Sequence, residues 1–241
     1  MIKVYWHLSP NFGDTLTPII VKHFTGQEVE FAERKERGKL IAVGSVIVAL
    51  NRNDVVWGTG SIRAGGKGCI KQPPGSKFLA VRGPLTRNLI DGDVPDIYGD
   101  PGILLPLIYK PEVKKTHAIG YMPHRVDKKI ILEQRAFADR LVKFIDIDSG
   151  WQNVINGILS CEKIITSSLH GIVAANAYGV PVIWEKYSDN IIGGEFKFQD
   201  YFAGVGIEPQ KYGNQIPEIK NLKERQDKLI TALQNYYCQC N

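Results

Sequence analysis

No stretch of the chain approaches the ~20 consecutive apolar residues that a bilayer-spanning helix needs, which excludes a helical membrane span within it. A secretory start is missing too. Met1 is followed at once by Ile-Lys-Val-Tyr-Trp, a strand pattern rather than a basic segment and a long apolar one, so a cytoplasmic protein is expected. No Lys/Arg block is interleaved with aromatics as a base-stacking platform would be. The net charge of +5 is too mild to argue for nucleic acid, though it suits acidic small molecules or an anionic membrane surface. Cysteines are few. Cys69 and Cys161 stand alone and Cys238 and Cys240 sit together, which gives neither a disulfide framework nor a zinc pattern. With Asp91-Gly92-Asp93 reading as a turn, no metal-ligand spacing emerges, and metal independence is expected. No internal repeat or low-complexity segment is apparent. Apolar residues at 44% and charged residues at 23% are values of a globular chain, so wholesale disorder is excluded as well.

What is present is an alternation of strands and helices, read most clearly from Ile164 to Ile183. Cys161–Ile165 is a short apolar run, and Thr166, Ser167 and Ser168 are helix N-cap types. Leu169–Tyr178 has helical spacing, Gly179 suits a C′ position, and Pro181 opens the next strand. His170 falls in the first turn of that helix. In open parallel sheets this junction lies at the carboxyl ends of the strands, where ligands bind. Two serines, a histidine and the positive end of a helix dipole make an anion site there.

Similar junctions recur along the chain. Strand Ile2–Leu8 leads through Ser9–Asp14 into a helix over Thr15–Phe24, with Asn11 and Asp14 at its mouth as turn, capping or site residues. Asn53–Trp57 ends in Gly58-Thr59-Gly60-Ser61, which lacks the dinucleotide-binding spacing but can wall a crevice. Lys77–Val81 leads to Arg82-Gly83-Pro84, where Pro84 suits a helix's first turn. Arg82 can fork onto a carboxylate or phosphate, or form a structural ion pair. Tyr109–Thr116 alone has linker character. Beyond it, His117–Met122 is a strand with His124 and Arg125 in its exit loop, and a helix follows over Ile130–Phe137. Gly193-Gly194 ahead of Lys197 suggests a mobile lid. A stripe of Leu222, Gln226, Leu229, Ile230, Leu233 and Tyr237 marks a terminal helix that packs on the core. The expected fold is α/β, two Rossmann-like domains facing a central cleft, with residues 1–112 in one and 113–241 in the other.

Taken in order, these pieces resemble the polysaccharide pyruvyl transferase family. They are Asn11-Phe12-Gly13-Asp14, Trp57-Gly58-Thr59-Gly60, Val81–Thr86, Gly99-Asp100-Pro101-Gly102, Met122-Pro123-His124, Ser167-Ser168-Leu169-His170-Gly171 and Gly179-Val180-Pro181. The compact length and the Phe196–Tyr201 segment are most similar to the bacterial exopolysaccharide, succinoglycan-type branch. The resemblance implies a GT-B-like fold and a reaction in which phosphoenolpyruvate donates its pyruvyl group to a sugar as a cyclic ketal, with no cofactor. It implies Arg82 and His170 as catalytic residues. A family lysine follows the Gly-Val-Pro strand at a spacing nearer Asn190 than Lys186 or Lys197, and an insertion would bring Lys197 into place.

Phosphoenolpyruvate is a compact anion and needs fixed cations and N–H donors. Lys197, Ser167, Ser168 and Gly171 are expected around it, with Asn11, Asp14, Gly60, Ser61, His124 and Arg125 lining the rest of the site and Arg63 in reserve. Histidine suits the proton transfers. The implied partner is a saccharide acceptor, often lipid-linked in such pathways, at the inner face of a membrane. Two rivals stand beside this reading. One is a nucleotide-sugar glycosyltransferase on the same scaffold, and the other is a non-catalytic anion-binding partner in polysaccharide assembly.

Overall fold

Two five-stranded sheets, joined by an irregular crossing at residues 109–116, make up the frame. The structure is a computed structural model, and it describes residues 1–134 and 139–237. Cys238, Cys240 and part of the helix expected over Ile130–Phe137 lie outside the described residues.

The first half of the chain runs β1 (Ile2–Tyr5), α1 (Phe12–Thr25), β2 (Val29–Phe31), β3 (Leu40–Ile41), β4 (Val55–Trp57), β5 (Ile70–Lys71), β6 (Lys77–Ala80), α2 (Pro84–Leu89), β7 (Ile90–Asp91) and α3 (Leu105–Ile108). The second half runs β8 (His117–Met122), α4 (Lys128–Gln134), β9 (Val142–Phe144), α5 (Trp151–Leu159), β10 (Cys161–Thr166), α6 (Leu169–Ala177), β11 (Val182–Trp184), α7 (Phe196–Gly204), β12 (Gln215–Ile216) and α8 (Leu222–Tyr237).

The first sheet has the order β2-β1-β3-β4-β6 and is parallel throughout. The second has the order β9-β8-β10-β11-β12, parallel except for β12. Numbered within each sheet, both read 2-1-3-4-5, so each reverses direction between its first and third strands. Central strands such as β3 and β4 are buried on both faces, which explains their unbroken Leu-Ile and Val-Val-Trp runs. A separate two-stranded piece, β5 with β7, stands where the sequence pattern suggests only loop.

Local chemistry sets the element ends. Helix α1 begins three residues earlier than its apolar spacing predicts, because the Asn11 side chain accepts from the Gly13 N–H at 3.1 Å. It ends at Gly26, whose φ of 65° closes the turn. Helix α6 is buried along almost its whole length, as its small and apolar residues require.

One continuous core joins the two sheets. It includes Val4, Leu16 and Trp57 from the first half and Ile155, Val173 and Trp184 from the second. The junction is fastened by a backbone bond from Phe12 N–H to the Ile147 carbonyl at 2.9 Å. Helix α6 also packs on the 3₁₀ turn Pro101–Leu104. Helix α8 crosses back onto the first sheet, where its Leu229 carbonyl accepts from Trp57 Nε1 at 2.9 Å.

The segment expected to form a lid is instead a packed helix. In α7, Lys197, Phe198, Asp200, Tyr201 and Phe202 are buried, and Phe198 stacks on Trp184 with ring centres 4.7 Å apart. The glycines before it do take left-handed angles. Gly193, however, lies so near the Ile62 carbonyl that a Cβ would meet its oxygen at 1.8 Å. Gly193 thus serves a close approach, and Gly194 only its left-handed backbone angle.

Candidate active site

In a doubly wound sheet the strand ends part where the order reverses, and a crevice opens there. In the first sheet this point lies between the exits of β1 and β3, in the second between the exits of β8 and β10. All four exit loops border a single cleft of about 430 Å³. Asn11 and Asp14 follow β1, Ser45 follows β3, His124 and Arg125 follow β8, and Ser168 and His170 follow β10. Lys197 of α7 completes the wall.

The charges in this cleft are poised for an anion. Ser168 is the N-cap of α6 but makes no side-chain cap bond, so the first-turn N–H groups of that helix have no capping acceptor. Lys197 is almost fully buried. Burial, then the nearby Arg82 charge, bring its ammonium down to about 8. Burial, followed by the charge of Lys197, pushes the His124 imidazole down to about 4, against a weaker opposite pull from Asp127. Asp14 is the acidic member of the wall and accepts from Ser9 Oγ at 2.6 Å. Arg125 lies 3.4 Å from Asp148 through Nε.

His170 reaches out of the second half and is held by the first. Its ring lies against Gly13, where a Cβ would come within 2.0 Å of Nδ1, and near Gly44. That explains the glycine in Asn-Phe-Gly-Asp. Nε2 faces Asp100 Oδ2 at 3.6 Å. Asp100 is fully buried, and its other oxygen accepts from the Gly102 N–H at 2.9 Å. Burial alone would push that carboxyl up, but the His170 imidazole, the Gly102 N–H and the Arg82 charge together hold it below the usual range.

Other residues singled out in the sequence lie behind the wall. Arg82 has no exposed surface. Nε donates to Asp200 at 2.9 Å, Nη1 to Ser45 Oγ at 2.6 Å, and Nη2 to the Ser61 carbonyl. It forms the structural ion pair that was the alternative to direct ligand contact. Gly60 gives the guanidinium room to pass, since a Cβ there would lie 2.5 Å from it. Ser61 borders a neighbouring pocket of about 380 Å³, as does Arg63. Ser167 donates to Asp127 at 2.7 Å and accepts from the His124 N–H at 2.9 Å, which fixes the β8 exit loop. Gly171 packs on Thr166 Oγ1, where a Cβ would lie at 2.4 Å. Between the two lysines, Lys197 lines the cleft, whereas Lys186 pairs with Asp189 on the surface.

Sequence reading gave no role to Asp100, Ser45 or Arg34, and all three belong to this region. Gly44-Ser45 at a strand exit carried the same signal as the other junctions. Asp100 sits in a Gly-Asp-Pro-Gly turn, where nothing local separates a catalytic carboxylate from a turn former.

Comparison with known proteins shows the family to which the chain belongs. The family described as polysaccharide pyruvyl transferase matches residues 11–189. An uncharacterized protein of Acanthamoeba polyphaga mimivirus is 31% identical over 195 residues, covering 74% of this chain and 64% of that protein. The succinoglycan biosynthesis protein ExoV of Rhizobium meliloti is 27% identical over 219 residues, covering 86% of this chain and 66% of that protein. The chain therefore spans just under two thirds of the length of these relatives. No solved structure gives a significant match.

Proposed function

Because the chain belongs to the polysaccharide pyruvyl transferase family, we propose that it moves the enolpyruvyl group of phosphoenolpyruvate onto a sugar of a polysaccharide or its precursor as a pyruvate ketal. One observation carries this reading: the uncapped N-terminus of α6 meets Lys197 and His124, both pushed toward neutrality, in one cleft. Such a set gains most from a small, multiply charged anion. Lys197 and the α6 N–H groups hold the phosphate and carboxylate. His170 serves the proton transfers.

The chemistry balances around that histidine. A proton moves from the imidazolium to the methylene carbon, and a sugar hydroxyl attacks the neighbouring carbon while returning a proton to the ring. A second hydroxyl closes the ketal as the phosphate leaves with its proton. In this scheme Arg82 acts through Asp200. That residue lies three positions after Lys197 on α7, so the buried pair sets where the ammonium stands. The shared 2-1-3-4-5 strand order and facing reversal points support two Rossmann-like units, residues 1–112 and 113–241, in a GT-B-like arrangement.

Among the described residues no helix is long and apolar enough to cross a membrane. Where the acceptor is lipid-linked, the protein on this reading meets it from the membrane's inner face. Phosphate release from phosphoenolpyruvate, measured against a panel of saccharides with product masses checked for a ketal, tests the proposal. Transfer should persist in chelator. Binding of a nucleotide sugar with no phosphate release would favour the glycosyltransferase reading instead.

A further inference from the structure

Asp100 and His170 come from opposite halves of the molecule and meet with unusual incompleteness. Asp100 Oδ1 is spent on the Gly102 N–H, while Oδ2 is sealed from solvent with no hydrogen-bond partner among the described residues. His170 Nε2 is likewise sealed and without a partner among the described residues, and it faces that oxygen at 3.6 Å. A gap of this size before substrate arrives is common for catalytic hydrogen bonds, which tighten in the loaded site. Gly13 closes the other side of the ring, so the imidazole has little room to turn away. A neutral imidazole carries one N–H and one acceptor nitrogen, and the neighbour of one decides the task of the other.

We propose that Asp100 is the positioning residue of His170: its carboxylate keeps the proton on Nε2 and leaves Nδ1 to give and take the proton of the transfer step. This rests on His170 serving the transfer, as argued above. When Nδ1 takes the hydroxyl proton, the ring becomes an imidazolium with Asp100 as its buried counter-charge, and no proton passes to the carboxylate. The charged groups that share its cleft are Asp14 on α1, Arg34, Arg125 beyond β8 and Lys197 on α7, with the neutral His124 beside them and Arg82 acting on Asp100 from behind. Each of the cations disfavours a charged imidazole, which leaves Asp100 as the buried group that offsets them. Because the pair spans the junction, the proton-transfer machinery is complete only when both halves are folded together.

The test is ¹⁵N NMR of the imidazoles in the whole protein, with the His170 signal assigned by its loss in His170→Ala. The neutral ring should carry its proton on Nε2. Asp100→Asn keeps an oxygen for the Gly102 N–H and turns an NH₂ group toward His170, which demands an acceptor at Nε2. The proton should then move to Nδ1. Turnover should fall by about 10²–10³-fold while KM for phosphoenolpyruvate stays within about twofold, and Asp100→Glu should recover part of the loss. A wild-type ring protonated on Nδ1, or a tautomer unmoved in Asp100→Asn, overturns the proposal. The wild-type spectrum decides the matter even if the variant does not fold. A protein with the expected tautomers but no pyruvyl transfer would count against the proposed function and not against the placement of this proton.

Discussion

Two buried carboxylates face basic side chains across the same junction, and they are bonded in opposite ways. Asp200 is saturated: it accepts from Arg82 Nε, the Thr86 N–H and Thr86 Oγ1, at 2.9, 2.8 and 2.6 Å. Asp100 holds one backbone N–H and leaves an oxygen unbonded beside His170. A saturated buried pair has no capacity left for a ligand, and it resists any change of partner. The half-satisfied one keeps capacity in reserve, at a cost in desolvation that only a loaded site recovers. Bonding, more than residue type, separates the clamp from the working pair.

The comparison breaks most severely at Asp200. Asp200→Ala strands the Arg82 guanidinium in the interior and should cost about 3–5 kcal/mol, read as a lower urea midpoint with an unchanged slope. His170→Ala should show the reverse pattern, with transfer reduced about 10²–10⁴-fold and a thermal midpoint within a few degrees of wild type. Near-full transfer in that variant, with intact folding, would remove the histidine from the mechanism.

Lys197 lies between these extremes. Its folded-state value, about 8, is below that of an unfolded lysine, so the native state sheds this proton first. The penalty for burying the charge is therefore fully present below pH 8. It is relieved as pH rises from about 8 toward the unfolded value, so stability should increase through that window while affinity for phosphoenolpyruvate declines. Lys197→Met should gain roughly 1–3 kcal/mol of stability at neutral pH and lose anion binding, seen by calorimetry. Lys186→Ala is the smallest break. Its side chain is exposed, pairs with Asp189 and lies over the Tyr212 ring, all at the surface and away from the cleft, so neither KM nor the melting temperature should move measurably.

Much of this was legible in the sequence for a physical reason. Strand exits that carry ligands need small and capping residues, and Asn11–Asp14 and Ser167–Gly171 both announce themselves that way. The α/β alternation and the α8 stripe were readable because burial imposes periodicity. Arg82 shows where such reading runs out. An arginine at a strand end looks the same from the sequence whether it meets a ligand or an aspartate 118 positions away. Asp100 stands in a turn that matches the family but draws no role from the sequence, because its partner lies 70 positions further on and across the junction. The segment around Lys197 reads as mobile because Gly193-Gly194 precedes it and its charges give no clear apolar periodicity. Lys197 and Asp200 are instead buried with Phe198, Tyr201 and Phe202, since each has a partner or a cavity to meet on the inner face.

The return of α8 to the first sheet bears on how the chain is made. Trp57 donates to the Leu229 carbonyl, and Gln226 Nε2 reaches the Ile103 carbonyl at 2.8 Å. The early strands therefore leave the ribosome with one flank uncovered, and it stays so until residues 222–237 have been synthesised. Everything between, including the histidine-bearing helix, must emerge while that flank waits.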